Sequence, residues 1–273
     1  MMKIGFIGTG LMGLPMAKNL LKSDFKLKVF NRSINKAEPL KEFGAEISKT
    51  LGEVVKDNDF IITMLTDDSA VDAIMSNSDL LENLKSGSTV IDMSSVKPTT
   101  ATKYGNSLKS KNVNYLDAPV SGGTIGAEEA SLAIMVGGEQ SVFDNSINIL
   151  KAMGNPTLVG PIGSGQVSKL ANQIVVGVTI GAVAEAITLC EKAGADPVKL
   201  IKALSGLNET VVLSPFPLTE IGFAKMSAFA NLTLHFPLEI SETSPANVLF
   251  SPINSATKEF TGFSYNSSGL ESC

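Results

Sequence analysis

Short apolar runs alternate with helix-like segments through the first half of the chain. The runs that predict β-strands are residues 3–7, 27–31, 59–65, 88–93, 114–118 and 132–136. A helix is predicted over residues 11–22, and Ser33 could cap another that runs toward Gly44 and is shortened by Pro39. Strands that are apolar on both faces and separated by helices are typical of a parallel sheet covered on both sides. The pattern therefore predicts an α/β fold with a doubly wound parallel sheet.

The pattern changes at a glycine-rich turn, residues 160–165. Residues 166–193 then contain no strong helix breaker and predict a helix of about 40 Å, taking roughly 1.5 Å per residue. This segment is too apolar for a solvated helix, so we expect it to be buried against other helices or a second subunit. Asp196 and Pro197 predict the N-cap and the first position of a short helix that ends at Leu204.

The end of the chain does not continue this pattern. Five prolines interrupt residues 207–273, and no 3.6-residue period is visible there. We divide the chain at the glycine-rich turn into a first domain, residues 1–162, and the start of an all-helical second domain, residues 163–206. The second domain is atypical or incomplete, because residues 207–273 form a tail that we interpret as poorly ordered or as the product of a changed reading frame.

Composition excludes several classes of protein. The 273 residues include 22 Lys and Arg against 27 Asp and Glu, which gives a net charge of −5, and Arg32 is the single arginine. Such a chain lacks the basic surface that nucleic acids require. Two cysteines and one histidine exclude a disulfide framework and a four-cysteine zinc site. The longest apolar run, residues 174–184, is shorter than the roughly 20 residues that cross a bilayer, so we expect a cytoplasmic protein without a membrane partner.

A glycine-rich segment follows the first predicted strand and opens the first helix. Its residues are Gly8, Thr9, Gly10, Leu11, Met12 and Gly13. The first glycine permits a tight turn, the second lets a pyrophosphate approach the backbone, and the third lets the helix pack closely on the strand. The segment predicts a Rossmann-type dinucleotide-binding domain over residues 1–162. The alternative is a glycine-rich turn without a ligand.

The choice of cofactor depends on the end of the second strand. An acidic residue there usually binds the ribose 2′-hydroxyl of NAD, whereas a cation accommodates the 2′-phosphate of NADP. This chain has Asn31, Arg32 and Ser33 and no acid at that place. A guanidinium is suited to bidentate phosphate contact, so the sequence favours NADP, with NAD as the other choice. An exposed arginine beside a helix cap is the alternative interpretation.

The residues for proton transfer are found by elimination. No tyrosine has a lysine four residues later, and a His-Arg 2-hydroxyacid site is hard to build when the one histidine, His235, lies in the atypical tail. Lys169 and Asn172 remain, three residues apart on one helix face, just after the glycine-rich turn. The helix N-terminus and partial burial would lower the lysine pKa and help it to move protons. An ordinary solvated lysine is the alternative.

A second glycine turn follows the predicted strand 114–118. It contains Ser121, Gly122 and Gly123, and it falls on the carboxyl edge of the sheet, where open α/β folds bind ligands. Exposed N–H groups and a hydroxyl suit a small carboxylate. A connecting turn without a ligand is the alternative.

Together these segments resemble the β-hydroxyacid dehydrogenase family, which includes 3-hydroxyisobutyrate dehydrogenase and the glyoxylate and succinic semialdehyde reductases. The resemblance covers residues 1–206 and rests on residues 4–13, 92–95, 117–123 and 163–172. It implies hydride transfer between a nicotinamide and a small β-hydroxy acid or its semialdehyde. It also implies a homo-oligomer and no metal.

The resemblance further implies roles for individual residues. Lys169 is then the general acid and base, and Asn172 with the 121–123 turn holds the substrate. The implied contacts to the cofactor after the later strands are Met64, Leu65, Thr66 and Ser95. The family's lysine–aspartate motif in the second domain is missing from residues 207–273. The alternative function is therefore a dinucleotide-binding protein with impaired catalysis.

Overall fold

The computed structural model describes residues 2–204 of the chain. Its strands are β1 (Lys3–Ile7), β2 (Lys26–Phe30), β3 (Glu46–Ile47), β4 (Phe60–Thr63), β5 (Thr89–Asp92), β6 (Asn114–Asp117), β7 (Val120–Ser121), β8 (Leu132–Gly137) and β9 (Gly154–Gly160). Its helices are α1 (Gly13–Lys22), α2 (Leu51–Val55), α3 (Asp68–Met75), α4 (Ser78–Asn83), α5 (Pro98–Lys109), α6 (Gly123–Glu128), α7 (Gln140–Lys151), α8 (Ser164–Lys192) and α9 (Pro197–Leu204). The interpretation of residues 207–273 lies outside the described residues.

One sheet contains all nine strands of this described part, in the order β3-β2-β1-β4-β5-β6-β8-β7, with β9 beside β8. The strands from β3 to β6 are parallel, whereas β8 is antiparallel to β6 and β7 and parallel to β9. The chain winds outward from β1 in one direction and from β4 in the other. The Rossmann-type doubly wound sheet predicted from the sequence is confirmed, and ligands of such sheets bind where the strand order reverses.

Two cores cover the two faces of this sheet. Consecutive residues of β4 enter different cores: Ile62 belongs to the cluster that contains Leu20 of α1, and Ile61 belongs to the cluster that contains Leu108 of α5. This arrangement explains why β4 and β5 are buried at every position, because neither face of the sheet meets water there.

The segment after β2 differs from the predicted helix. It forms two short 3₁₀ turns, Ile34–Lys36 and Glu38–Phe43, and the Ser33 side chain caps neither of them. Pro39 lies at the start of the second turn, and a proline ring removes one backbone donor, which is why a regular α-helix does not run through this segment.

Helix α8 is 29 residues long, and it packs on β8, β9 and α5 near its start. Large apolar side chains along the first half of α8 are nevertheless exposed in the described part of the chain: Val167, Leu170, Ile174, Val175 and Val178. By length and composition alone α8 could cross a membrane, which the prediction from residues 174–184 did not anticipate. A helix covered by another domain or subunit has the same properties, so length and composition do not choose between them.

A short helix follows α8 as predicted. The Oδ1 atom of Asp196 accepts hydrogen bonds from the backbone N–H groups of Val198 at 2.9 Å and Lys199 at 3.3 Å. Pro197 is the first residue of α9. The N-cap and first position predicted from the sequence are therefore confirmed.

Candidate active site

The loop between β1 and α1 is shaped by its three glycines. Gly8 has a φ of +101°, which other residues rarely adopt, and a Cβ there would collide with the Met64 carbonyl oxygen. A Cβ at Gly13 would collide with the Gly8 carbonyl oxygen. At Gly10, by contrast, a Cβ would meet no atom within 4 Å. The loop is thus closely packed at both ends and open in the middle.

The first turn of α1 suits an anion. Met12 is the N-cap residue, its side chain makes no capping hydrogen bond, and the first turn contains no acidic residue. The early N–H groups of a helix have no intrahelical partner, and the helix dipole adds a partial positive charge. Gly10 and Leu11 are exposed beside this turn. These features fit the pyrophosphate of a nicotinamide dinucleotide.

Asn31 supports the glycine loop from the end of β2. Its Oδ1 atom accepts a hydrogen bond from the Thr9 N–H at 3.0 Å, and its Nδ2 atom donates to the Ser33 carbonyl at 2.9 Å. The Asn31 side chain therefore positions the loop. Arg32 and Ser33 are exposed at the same strand end.

The ends of β4 and β5 are joined to each other. The backbone N–H of Met64 donates to the Ile7 carbonyl at 2.9 Å, and the N–H of Leu65 donates to the Ser94 hydroxyl oxygen at 2.9 Å. Thr66 and Ser95 follow these residues and are exposed. The structure thus brings the segments with Met64, Leu65 and Ser95 next to the glycine loop at one edge of the sheet.

A buried carboxylate fixes the end of β5. Asp92 accepts hydrogen bonds from the Thr63 hydroxyl at 2.8 Å, the Ser94 N–H at 3.1 Å and the Tyr115 hydroxyl at 3.2 Å. Burial raises the pKa of Asp92, and these donors act in the opposite direction. Asp92 lies fully inside the protein, so its role at this edge is to hold Ser94 in place.

The second glycine turn leads from β7 into α6. Gly122 and Gly123 have φ angles of +134° and +63°, in the range that favours glycine. Both glycines are exposed, and Ser121, which pairs with Ala133 of β8, is partly buried. The backbone conformation explains why two glycines are required, and their exposure leaves room for a ligand.

Lys169 and Asn172 lie on the second and third turns of α8. Both are partly buried, and burial lowers the pKa of the Lys169 ammonium group. The Oδ1 atom of Asn172 is buried without a hydrogen-bond partner among the described residues. A buried acceptor of this kind is costly unless a ligand or water supplies the donor.

Sequence reasoning missed two residues at the start of α8. The Asp117 carboxylate accepts hydrogen bonds from the N–H groups of Gly163 at 2.7 Å and Gln166 at 2.9 Å. The Gln166 side chain reaches back to the residues after β5. Burial raises the pKa of Asp117, and the backbone donors act against that rise. An acidic residue closing an otherwise buried strand was the one available signal for Asp117.

Comparisons with known proteins agree with this geometry. Residues 3–176 match the family model described as the NAD binding domain of 6-phosphogluconate dehydrogenase. Residues 163–208 match the model for the NAD-binding of NADP-dependent 3-hydroxyisobutyrate dehydrogenase. The 2-hydroxy-3-oxopropionate reductase of Escherichia coli K12 is 42% identical over 208 residues, which cover 75% of this chain and 70% of that protein. The chain belongs to the β-hydroxyacid dehydrogenase family.

Solved structures of similar proteins extend this result. A Mycobacterium tuberculosis 3-hydroxyisobutyrate dehydrogenase solved with L-serine is 30% identical, with a TM-score of 0.73, covering 87% of this chain and 90% of that one. A structure of Psf3 with NADP⁺ and 2-OPP is 26% identical, with a TM-score of 0.70, covering 75% of this chain and 73% of that one. This β-hydroxyacid dehydrogenase is therefore an NAD(P)-dependent oxidoreductase whose cofactor is a nicotinamide dinucleotide.

Proposed function

We propose that this β-hydroxyacid dehydrogenase uses NADP(H) to interconvert a small β-hydroxy acid and its semialdehyde, with Lys169 as general acid and base. The observation that carries the proposal is the place of Lys169. It is a partly buried lysine on a helix whose start is bonded to the ends of β5 and β6, at the same sheet edge as the glycine loop. The similarity to a 2-hydroxy-3-oxopropionate reductase supports a substrate of this size.

The proton chemistry falls to Lys169. When bound, the nicotinamide supplies the hydride to the carbonyl carbon of the semialdehyde. The Lys169 ammonium donates its proton to the carbonyl oxygen, so a hydroxyl group forms, and the neutral amine takes the proton back in the oxidation direction. Partial burial lowers the pKa of Lys169 and makes this proton easier to release.

The other site residues bind and orient the substrate. The exposed N–H groups of Gly122 and Gly123, with the Ser121 hydroxyl, can donate hydrogen bonds to its carboxylate. The unpartnered Oδ1 atom of Asn172 can accept a hydrogen bond from its hydroxyl group. Holding both ends of a three- or four-carbon acid would keep the reacting carbon in one place.

The preference for NADP rests on Arg32. Its guanidinium is exposed at the end of β2, and no carboxylate occupies the neighbouring positions 31 and 33. Arg32→Ala should weaken NADPH binding at least tenfold and leave NADH binding nearly unchanged, because only the 2′-phosphate contact is lost. Titration of both nucleotides measures the two affinities, and equal weakening of both would contradict the proposal.

A steady-state assay tests the catalytic proposal. Purified protein is mixed with NADPH and a panel of semialdehydes that includes 2-hydroxy-3-oxopropionate, and the loss of NADPH absorbance is followed. Lys169→Ala should reduce kcat by about 10²–10⁴-fold, the usual contribution of a positioned proton donor, without changing NADPH affinity. Full activity of this variant would refute the role of Lys169. NADPH binding without turnover of any semialdehyde would instead identify a dinucleotide-binding protein with impaired catalysis.

A further inference from the structure

Gln166 connects α8 to the segment after β5 through two hydrogen bonds. Its Oε1 atom accepts from the Val96 N–H at 3.1 Å, and its Nε2 atom donates to the Ser94 carbonyl at 2.8 Å. The side chain is 1% exposed, so water does not compete for these bonds. The same Ser94 binds the Leu65 N–H through its hydroxyl group. Ser94 therefore links Gln166 to the segment that follows β4.

Asp117 connects the same helix to the end of β6. Its carboxylate binds the N–H groups of Gly163 and Gln166, and it has no exposed surface. Gly165 lies between them so tightly that a Cβ there would be 2.6 Å from the Asp117 carbonyl oxygen. The first turn of α8 is thus fixed to two strand ends by two buried side chains and one close backbone contact.

Lys169 begins the next turn of the same helix. It follows Gln166 by three residues, which corresponds to a rise of about 4.5 Å, and residues at this spacing share a helix face. A small tilt or shift of the first turn therefore moves the Lys169 ammonium relative to the ends of β4 and β5.

We propose that Gln166 and Asp117 are positioning residues, which set the place of Lys169 relative to the cofactor-binding edge of the sheet. The inference rests on the proposed role of Lys169 as acid and base. Both side chains are buried, and their polar atoms form hydrogen bonds within the protein, so we expect both to act through the helix and not on the substrate. Misplacement of a reacting group by about 1 Å can reduce the rate by about 100-fold.

Two variants that nearly keep the size and shape of the side chain test the proposal. Gln166→Met keeps the approximate volume but removes both side-chain hydrogen bonds, and Asp117→Asn keeps the shape but replaces one acceptor with a donor. Each should reduce kcat by about tenfold or more with NADPH and 2-hydroxy-3-oxopropionate, while the Kd for NADPH changes less than twofold. If Gln166→Met does not fold, Gln166→Glu, which keeps the acceptor for the Val96 N–H, takes its place.

Asp79→Asn is the matched control. The Asp79 carboxylate also accepts a backbone hydrogen bond, from the Gly52 N–H at 2.7 Å, but it connects α4 to α2 and not α8 to the sheet. Its replacement should lower the melting temperature without changing kcat. A loss of kcat equal to that of Asp117→Asn would mean that general loss of stability explains both, and the proposal would fail.

A double-mutant cycle separates positioning from a merely structural role. If Gln166 acts through Lys169, then Gln166→Met should cause little further loss of kcat in a Lys169→Ala background. Losses that multiply in the double variant would overturn the positioning role, even though Lys169 itself remained important. Full activity of Lys169→Ala alone would refute the proposed function instead, so the two failures are distinguishable.

Discussion

Two alanine substitutions in the glycine loop should have opposite effects. Gly13→Ala places a Cβ against the Gly8 carbonyl oxygen, a backbone atom that cannot move aside without shifting the whole turn. Overpacking of this kind costs about 1–3 kcal/mol of unfolding free energy. Gly10→Ala places its Cβ where no protein atom lies within 4 Å, so we expect a stability change within about 0.5 kcal/mol.

Gly10→Ala, which should leave stability nearly unchanged, should instead weaken cofactor binding. If the pyrophosphate approaches the backbone at Gly10, the added methyl group occupies its place, and NADPH affinity should fall at least tenfold, which is about 1.4 kcal/mol. Urea unfolding measures the stability, and NADPH fluorescence titration measures the affinity.

Gly177→Ala is the control for this pair, because Gly177 is also open in the structure but lies within α8. Gly177→Ala should leave NADPH affinity unchanged. It should change the stability by no more than about 1 kcal/mol, the usual difference in helix propensity between Gly and Ala. Wild-type NADPH affinity in Gly10→Ala would refute the placement of the pyrophosphate. Wild-type stability in Gly13→Ala would refute the close packing of α1 on the loop.

Three further outcomes follow from the structure. The rate of semialdehyde reduction should fall as rising pH removes the proton from Lys169. This fall should occur below pH 10.5, the ordinary lysine pKa, because burial lowers the pKa of Lys169. A pH–rate profile with no fall below that pH would contradict this. Gly165→Ala should lower both stability, by about 1–3 kcal/mol, and kcat, because its Cβ would push α8 from the sheet; activity and urea unfolding at wild-type values would show that the helix start tolerates the displacement. The Lys85 ammonium lies 2.7 Å from the Asp59 carboxylate and holds the pKa of Asp59 below its ordinary value of 3.8. This half-exposed pair should therefore contribute about 0.2–1 kcal/mol to the free energy of unfolding at neutral pH. That contribution should be lost as the pH falls through the lowered pKa. Lys85→Met should therefore be less stable than wild type at pH 7 and approach it in acid, and an equal difference at both pH values would refute the assignment.

The sheet could be predicted from the sequence because its central strands carry a strong local signal. Three consecutive residues of β4, Phe60–Ile62, are apolar, and only burial on both faces accounts for that. The outer strands of the sheet, β3, β7 and β9, were harder to predict. β9 contains Pro156 and begins and ends with glycine, and its side chains alternate between partial burial and exposure. β3 and β7 have two residues each, too few for a period to be recognised.

The candidate site divides in the same way. The glycine loop and the residues after β4, β5 and β6 could be predicted because parallel strands bring their carboxyl ends to one edge. The bonds of Asp117 and Gln166 could not, since they join residues 46 to 72 positions apart in the chain and depend on how α8 packs against the sheet. The sequence also predicts that the helix N-terminus lowers the pKa of Lys169. In the structure the Asp117 carboxylate accepts hydrogen bonds from N–H groups at that helix start, and burial is what lowers the pKa.

The central claim is that the glycine loop of this chain binds NADPH within reach of Lys169. Titration of the purified 273-residue protein with NADPH and with NADH tests it most directly. The account predicts saturable binding of one nucleotide per chain, tighter for NADPH than for NADH. If neither NADPH nor NADH bound at millimolar concentration, the result would contradict the account.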